Sequence, residues 1–154
     1  MSLVRRYRKP LFIYCVILAA IVLLRWITAP SYIWPVEGNL GSQFGEIRGL
    51  TKRHQGIDIL AGNGSPIKAI DKGTVLFAGR RGDFGLTVIV QHSRYKGLYS
   101  HCSQILVTRG SSVEQGQTLA FVGKSGNATN YHLHFELRNS KDEPVDPNLV
   151  LPMR

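Results

Sequence analysis

Cysteine is scarce in this chain: Cys15 and Cys102 are the only two among 154 residues. That excludes a disulfide framework, and the lack of a CxxC pair excludes a cysteine-based zinc or redox site. Acidic residues are also few, 10 Asp and Glu against 19 Lys and Arg. The resulting charge of +9 would suit a nucleic-acid binder, but its distribution does not. Arg5, Arg6, Arg8, Lys9 and Arg25 carry five of the charges, so 14 basic against 10 acidic residues leave the rest of the chain only +4. No basic helix, zinc finger or RNA-binding strand motif lies there, although a mildly basic surface suits an anionic polymer. Coiled-coil heptads, internal repeats and low-complexity tracts are missing. After residue 30 no segment holds a helical period over ten residues. HExxH is absent too, so no helical glutamate can serve as the base of a metalloprotease.

What is present fits one globular domain. The chain is 44% hydrophobic and 19% charged, which is not a disordered composition. Its length supports one domain with a core and not two. Sixteen glycines suit the many tight turns of an all-β domain.

The N-terminus carries a different signal. Residues 1–10 form a basic segment, expected to be cytoplasmic, followed by "LFIYCVILAAIVLL", fourteen residues without a charge. If Arg25 snorkels and Trp26 sits at the interface, residues 11–28 rise about 27 Å, close to the roughly 30 Å of a hydrocarbon core. Pro30 makes a poor cleavage site after Ala29. We therefore expect an uncleaved signal anchor over 11–28, a short linker over 29–34, and a domain over 35–154. The basic cluster orients that domain to the extracytoplasmic side of the inner membrane. Cys15 would then lie in the membrane, out of reach of Cys102.

From Ile67 onward, short apolar runs alternate with glycine-containing turns. "PIKAI", "GTVLFAG", "LTVIVQH", "GLYSHC", "TLAFVG" and "YHLHFELR" read as strands, with "RRGDFG" and "SRYKG" as hairpin turns. The expected fold is a compact antiparallel β-sandwich or barrel.

In the last of these strands His132 and His134 alternate with Leu133 and Phe135, so both histidines share one face. About 6.5–7 Å of strand separates them. One can bind a metal while the other does something else, or both can simply face solvent. "RHQGIDIL" places His54 four residues before Asp58. Gly56 between them favours an extended stretch over a helix, and both residues are good zinc ligands. In "GLYSHCSQI" the period of two places Tyr99 and His101 on one face. His92, at a strand end, reads as structural.

The stretches "PVEGNLGSQFGEIR", "HQGID", "GSPIKAIDKGTV", "YSH", "GSSVEQGQTLAFVGKSG" and "HLHFEL" occur in this order. Together they closely resemble the lysostaphin/LytM-type zinc metallopeptidases over residues 35 to about 147. The resemblance implies a LytM domain of the duplicated-hybrid-motif type and a zinc metalloendopeptidase acting on stems or cross-links of peptidoglycan. It implies one Zn²⁺ per chain, with His54, Asp58 and His134 as its ligands and His101 and His132 as the catalytic histidines. Two histidines and a carboxylate leave a fourth coordination position open, as catalytic zinc requires. Glu136, on the same polar strand face, is either a partner behind a ligand or a surface residue.

The chain departs from the family pattern in two places. Asn130 and Tyr131 stand where a Gly-Pro pair commonly precedes the HxH, and Cys102 replaces a leucine. The period of two turns Cys102 away from His101, toward packing. Two other classes compete. Some LytM-like domains have lost ligands and activate other wall hydrolases, whereas this chain keeps all of them. Lipoyl- or phosphotransfer-type carriers share such β-sandwiches and would use Lys72 or a phosphorylated histidine, but they are cytoplasmic. The anchor and its tether of about eight residues lead us to expect an envelope protein partner, which no motif identifies.

Overall fold

The computed structural model describes residues 13–20 and 32–153. Contacts divide the chain into two compact units, residues 1–30 and 31–154. In the first, 13–20 are helical; most of the anchor expected over 11–28 lies outside the described residues. Among the described residues no helix is long and apolar enough to cross a membrane.

The second unit is mostly β. Its strands are β1 (Asn39–Leu40), β2 (Ile47–Arg48), β3 (Lys52–Arg53), β4 (Ile57–Leu60), β5 (Pro66–Lys68), β6 (Gly73–Arg80), β7 (Leu86–His92), β8 (Lys96–Ile105), β9 (Ser112–Val113), β10 (Thr118–Val122), β11 (His132–Arg138) and β12 (Pro144–Val145). Short 3₁₀ turns at Gly82–Phe84 and Pro147–Leu149 are its only helical pieces among the described residues.

The main sheet runs β1-β4-β11-β8-β7-β6-β9, with β10 joining β5 to β8 and β12 extending β11. Its strand pairs are antiparallel. β2 and β3 form a separate hairpin.

Alternation decides which side chains enter the core. On β11, Leu133, Phe135 and Leu137 are fully buried in one hydrophobic cluster with Ile57 and Ile59 of β4. Phe135 packs its ring 5.1 Å from that of Tyr99, a contact worth about 0.5–1.5 kcal/mol beyond burial. The intervening residues, His132, His134 and Glu136 on β11 and Asp58 on β4, are thereby committed to the other face. Register then brings them together: His134 pairs directly with Asp58.

The strand β8 breaks the rule. Between the pairs Leu86↔Cys102 and Val88↔Tyr99, β7 advances two residues and β8 advances three. The extra residue is a bulge, and His101 within it has φ +62°, the left-handed region that non-glycine residues seldom adopt.

Two loops interlock beside this bulge. A Cβ on Gly85 (φ +67°) would lie 2.4 Å from the Ser125 carbonyl carbon, and one on Gly126 (φ +73°) would lie 2.2 Å from the Asp83 carbonyl oxygen. Only glycine permits this approach, and it fixes Phe84 and Ser125 over the site.

Candidate metal centre

His54 precedes β4, Asp58 lies within it, and His134 lies opposite on β11. All three are buried, at 3%, 8% and 5% exposure. Their ligand atoms all lie within 4.8 Å of one another. His54 Nε2 stands 3.0 Å from His134 Nδ1 and 3.2 Å from Asp58 Oδ1. His134 Nδ1 stands 2.9 Å from the same oxygen.

A tetrahedron with metal–nitrogen bonds of about 2.0–2.1 Å has edges of about 3.3 Å, so small outward shifts would accommodate a zinc ion. The hydrogen bonds behind the ligands fit as well. The His54 Nδ1–H donates to the Gln43 carbonyl at 2.8 Å, turning Nε2 to the cluster. The His134 Nε2–H donates to Glu136 Oε1 at 3.1 Å, leaving Nδ1 for the cluster. A ligating histidine held through its other nitrogen by a carbonyl or carboxylate is the usual arrangement around zinc.

Glu136 is therefore no surface residue. It is 1% exposed, and its second oxygen accepts from Arg138 Nε at 3.0 Å and Nη2 at 2.7 Å. Burial alone would raise its carboxyl, but hydrogen bonds from His134 and Arg138 outweigh this and hold it below the ordinary range.

Asp58 behaves likewise. Burial opposes its charge, and the hydrogen bonds of His134 and His54 reverse that effect, lowering its pKa. Asp58 also pairs with Arg48 of the β2–β3 hairpin. His134 is disfavoured as a cation by burial, but Asp58 and Glu136 on its two sides raise its pKa. A metal cation bound to Nδ1 would displace that proton.

His101 and His132 flank the cluster. Their rings lie 4.7 Å apart, and His101 is 5.9 Å from the His134 ring. His101 Nδ1–H donates to the Ser125 carbonyl at 2.8 Å, and His132 Nδ1–H to the Asn130 carbonyl at 2.9 Å. A carbonyl can only accept, so in the neutral form of each ring Nε2 is left as a bare lone pair. Burial pushes the His101 pKa down to about 4; the Ser125 carbonyl opposes this, and His132 and His134 add to it.

The expectation that Tyr99 and His101 share a face is corrected here. Ser100 pairs with His134 across β8 and β11, and the bulge swings the next residue, His101, to the same side. Tyr99 remains in the core, its hydroxyl 2.9 Å from His92 Nε2 and accepting from the Ile70 amide at 3.2 Å. His92 is buried and belongs to this core contact. Cys102 packs in the core, where burial raises its thiol pKa to about 12; Cys15 and Cys102 are both free.

Several site residues escaped the sequence reading. Ser125 clamps the bulge: its hydroxyl donates to the Cys102 carbonyl at 2.8 Å and accepts from the Leu86 amide at 2.8 Å. The carbonyls of Gln43 and Asn130 fix two tautomers, and a backbone carbonyl has no sequence signature. Phe84 lies 5.5 Å from the His134 ring. The "RRGDFG" turn advertised a hairpin there, not a wall of the site.

An antiparallel β domain thus brings a buried His–Asp–His cluster, able to offer three ligand atoms to one metal ion, together with two further histidine rings beside it. The chain belongs to Peptidase family M23, whose model matches residues 52–147. It is 38% identical over 101 residues to the DD-carboxypeptidase/endopeptidase Mpg of Neisseria meningitidis, covering 64% of this chain and 23% of that protein. It is 37% identical over 126 residues to the murein hydrolase activator NlpD of Escherichia coli, covering 80% of this chain and 32% of that one. Among solved structures, a zinc-containing peptidase from Vibrio cholerae superposes with a TM-score of 0.70 at 30% identity, over 76% of this chain and 39% of that one. The chain thus spans about a quarter to a third of the length of these two curated relatives.

Proposed function

We propose that the protein is a zinc metalloendopeptidase that hydrolyses peptide bonds in peptidoglycan stems or cross-links. The observation that carries this reading is the complete constellation: three buried ligands and two flanking histidines whose Nε2 atoms are kept bare by backbone carbonyls. His54, Asp58 and His134 would hold the ion through Nε2, a carboxylate oxygen and Nδ1. Bound there, zinc supplies Lewis acidity toward a peptide carbonyl and toward water. His101 and His132 take a proton at Nε2 from the attacking water and return one to the leaving amine. Glu136 holds the His134 ring in its orientation, and Arg138 holds Glu136. The fourteen uncharged residues from Leu11, extended to 28 if Arg25 snorkels, and the basic residues before them support a single-pass anchor in the inner membrane, with the domain at 35–154 on the extracytoplasmic side.

The likeness to the murein hydrolase activator NlpD favours a second reading, in which the domain stimulates another wall hydrolase. One experiment separates the two. The full chain, in mild detergent and supplied with zinc, is incubated with purified sacculi of both cross-link chemistries, with and without a chelator. Mass spectrometry then reads the released fragments. Chelator-sensitive new termini are expected. No cleavage by zinc-loaded protein, together with faster release by an added second hydrolase, would overturn the enzyme reading in favour of the activator.

A further inference from the structure

The candidate centre opens into a cleft of about 470 Å³ whose charge is unbalanced. Five cations line it, namely Arg48, Lys52, Arg53, Arg81 and Arg138. Two are answered by acids: Arg48 by Asp58, and Arg138 by Glu136. The other three are not. Arg53 donates only to the Gly45 carbonyl, at 3.3 Å. Arg81 stacks its guanidinium 5.5 Å from the centre of the Phe84 ring. The Lys52 ammonium has no ion-pair or hydrogen-bond partner among the described residues. The acids nearby do not offset them. Asp83 is a single exposed carboxylate on the lining, and Asp142, which Arg138 and Arg81 also attract through space, is held in contact by Lys96 at 2.7 Å.

The placement of these charges also matters. Lys52 and Arg53 come from the β2–β3 hairpin, whose Arg48 reaches Asp58 on one side of the cluster. Arg81 comes from the β6–β7 turn, where Phe84 joins it to His134 through successive ring contacts. Cations from two unrelated elements therefore line one cleft, the first element touching the candidate cluster at Asp58 and the second at His134.

We propose that Lys52 and Arg81 are specificity-determining residues that select a peptide bearing carboxylates on both sides of the scissile bond. A stem peptide of peptidoglycan has that chemistry; an uncharged peptide would leave the rim without a partner. A guanidinium propped on an aromatic face presents its edge to a carboxylate in a fixed orientation. The inference rests on the hydrolase reading for its substrate, and the test keeps the two apart.

The probe is a labelled synthetic stem peptide with free carboxylates, compared with the same peptide carrying amides at those positions. Binding to the full chain is read by fluorescence anisotropy at low and at physiological salt, and mass spectrometry of the same samples reads cleavage. The free acid is expected to bind about tenfold more tightly than the amide at low salt, with a smaller ratio at higher salt. Lys52→Gln and Arg81→Gln should each reduce that ratio by roughly three- to fivefold, the scale of an exposed ion pair. Arg81→Lys should restore part of it, because the charge returns without the planar fork. Both side chains are exposed, and unchanged circular dichroism and melting would show that the variants fold. Equal binding of acid and amide, or a ratio unmoved by both Gln substitutions, overturns the rim. Selective binding without cleavage supports the rim and counts against the hydrolase; cleavage without selectivity does the reverse.

Discussion

Replacing Glu136 by glutamine would show whether the carboxylate behind His134 prepares that ring for a metal. The substitution keeps the shape and removes one acceptor and one charge. Glu136 is 1% exposed. One oxygen accepts His134 Nε2–H at 3.1 Å, and the other accepts two donors of Arg138 at 3.0 and 2.7 Å. An amide has a single oxygen and an NH₂ group. If that oxygen faces Arg138, the NH₂ faces His134 Nε2, which must become an acceptor. The ring proton then moves to Nδ1, the atom offered to the cluster. If the oxygen faces His134, the NH₂ is pressed against the Arg138 donors. In the second case a buried partner is lost, at about 1–3 kcal/mol; in the first the cost falls on Nδ1, which must give up its proton before it binds a metal. Losing a partner behind a metal-bound histidine costs about 10- to 100-fold in affinity, or about 1.4–2.7 kcal/mol. The assay is zinc competition between the full chain and a chelator of known Kd, with the wild type in parallel. A rise of that size in Kd is expected for Glu136→Gln. A Kd within about twofold of wild type would refute the reasoning, because the carboxylate would then do nothing for the ligand behind which it sits.

Three further outcomes are expected. His134→Ala should lose zinc and peptidase activity together, whereas His101→Ala should keep zinc and lose at least about 10²-fold in rate; metal analysis beside fragment release checks both, and full activity in His101→Ala removes that residue from the mechanism. A Cβ on Gly56 would lie 2.2 Å from the Phe135 carbonyl oxygen, so Gly56→Ala must part β4 from β11 and should cost about 1–3 kcal/mol in urea unfolding; wild-type stability would show that the strands yield freely. Burial lowers the His92 pKa from its ordinary 6.5. Between that value and the lower folded one the unfolded chain binds more protons, so this contribution is whole above pH 6.5 and declines as the pH falls; His92→Gln should show a shallower fall of stability over that window, and an identical slope would exclude His92 as a source.

Much of this protein was legible because period-two patterning is a local property. The runs "GTVLFAG", "LTVIVQH" and "YHLHFELR" became β6, β7 and β11 because each is a short apolar or alternating run bounded by turn residues. The chain order of His54, Asp58, His101, His132 and His134 likewise marked the candidate site, through its resemblance to a known family. Strands β1, β2, β3, β9 and β12 have two residues each and so carry no period; pairing with a neighbour creates them. Sequence also placed Tyr99 and His101 on one face, which would have put the histidine in the hydrophobic core or the tyrosine beside the His–Asp–His cluster. The bulge at His101 decided otherwise, and a bulge depends on how three strands register against one another. Local sequence by itself determined a β-rich domain with a polar face on its last long strand. Tertiary structure alone decided which atoms of that face meet. Metal-ligand geometry depends on distances of about 3 Å between residues separated by 76 and 80 positions in the chain, and on carbonyls that every residue possesses.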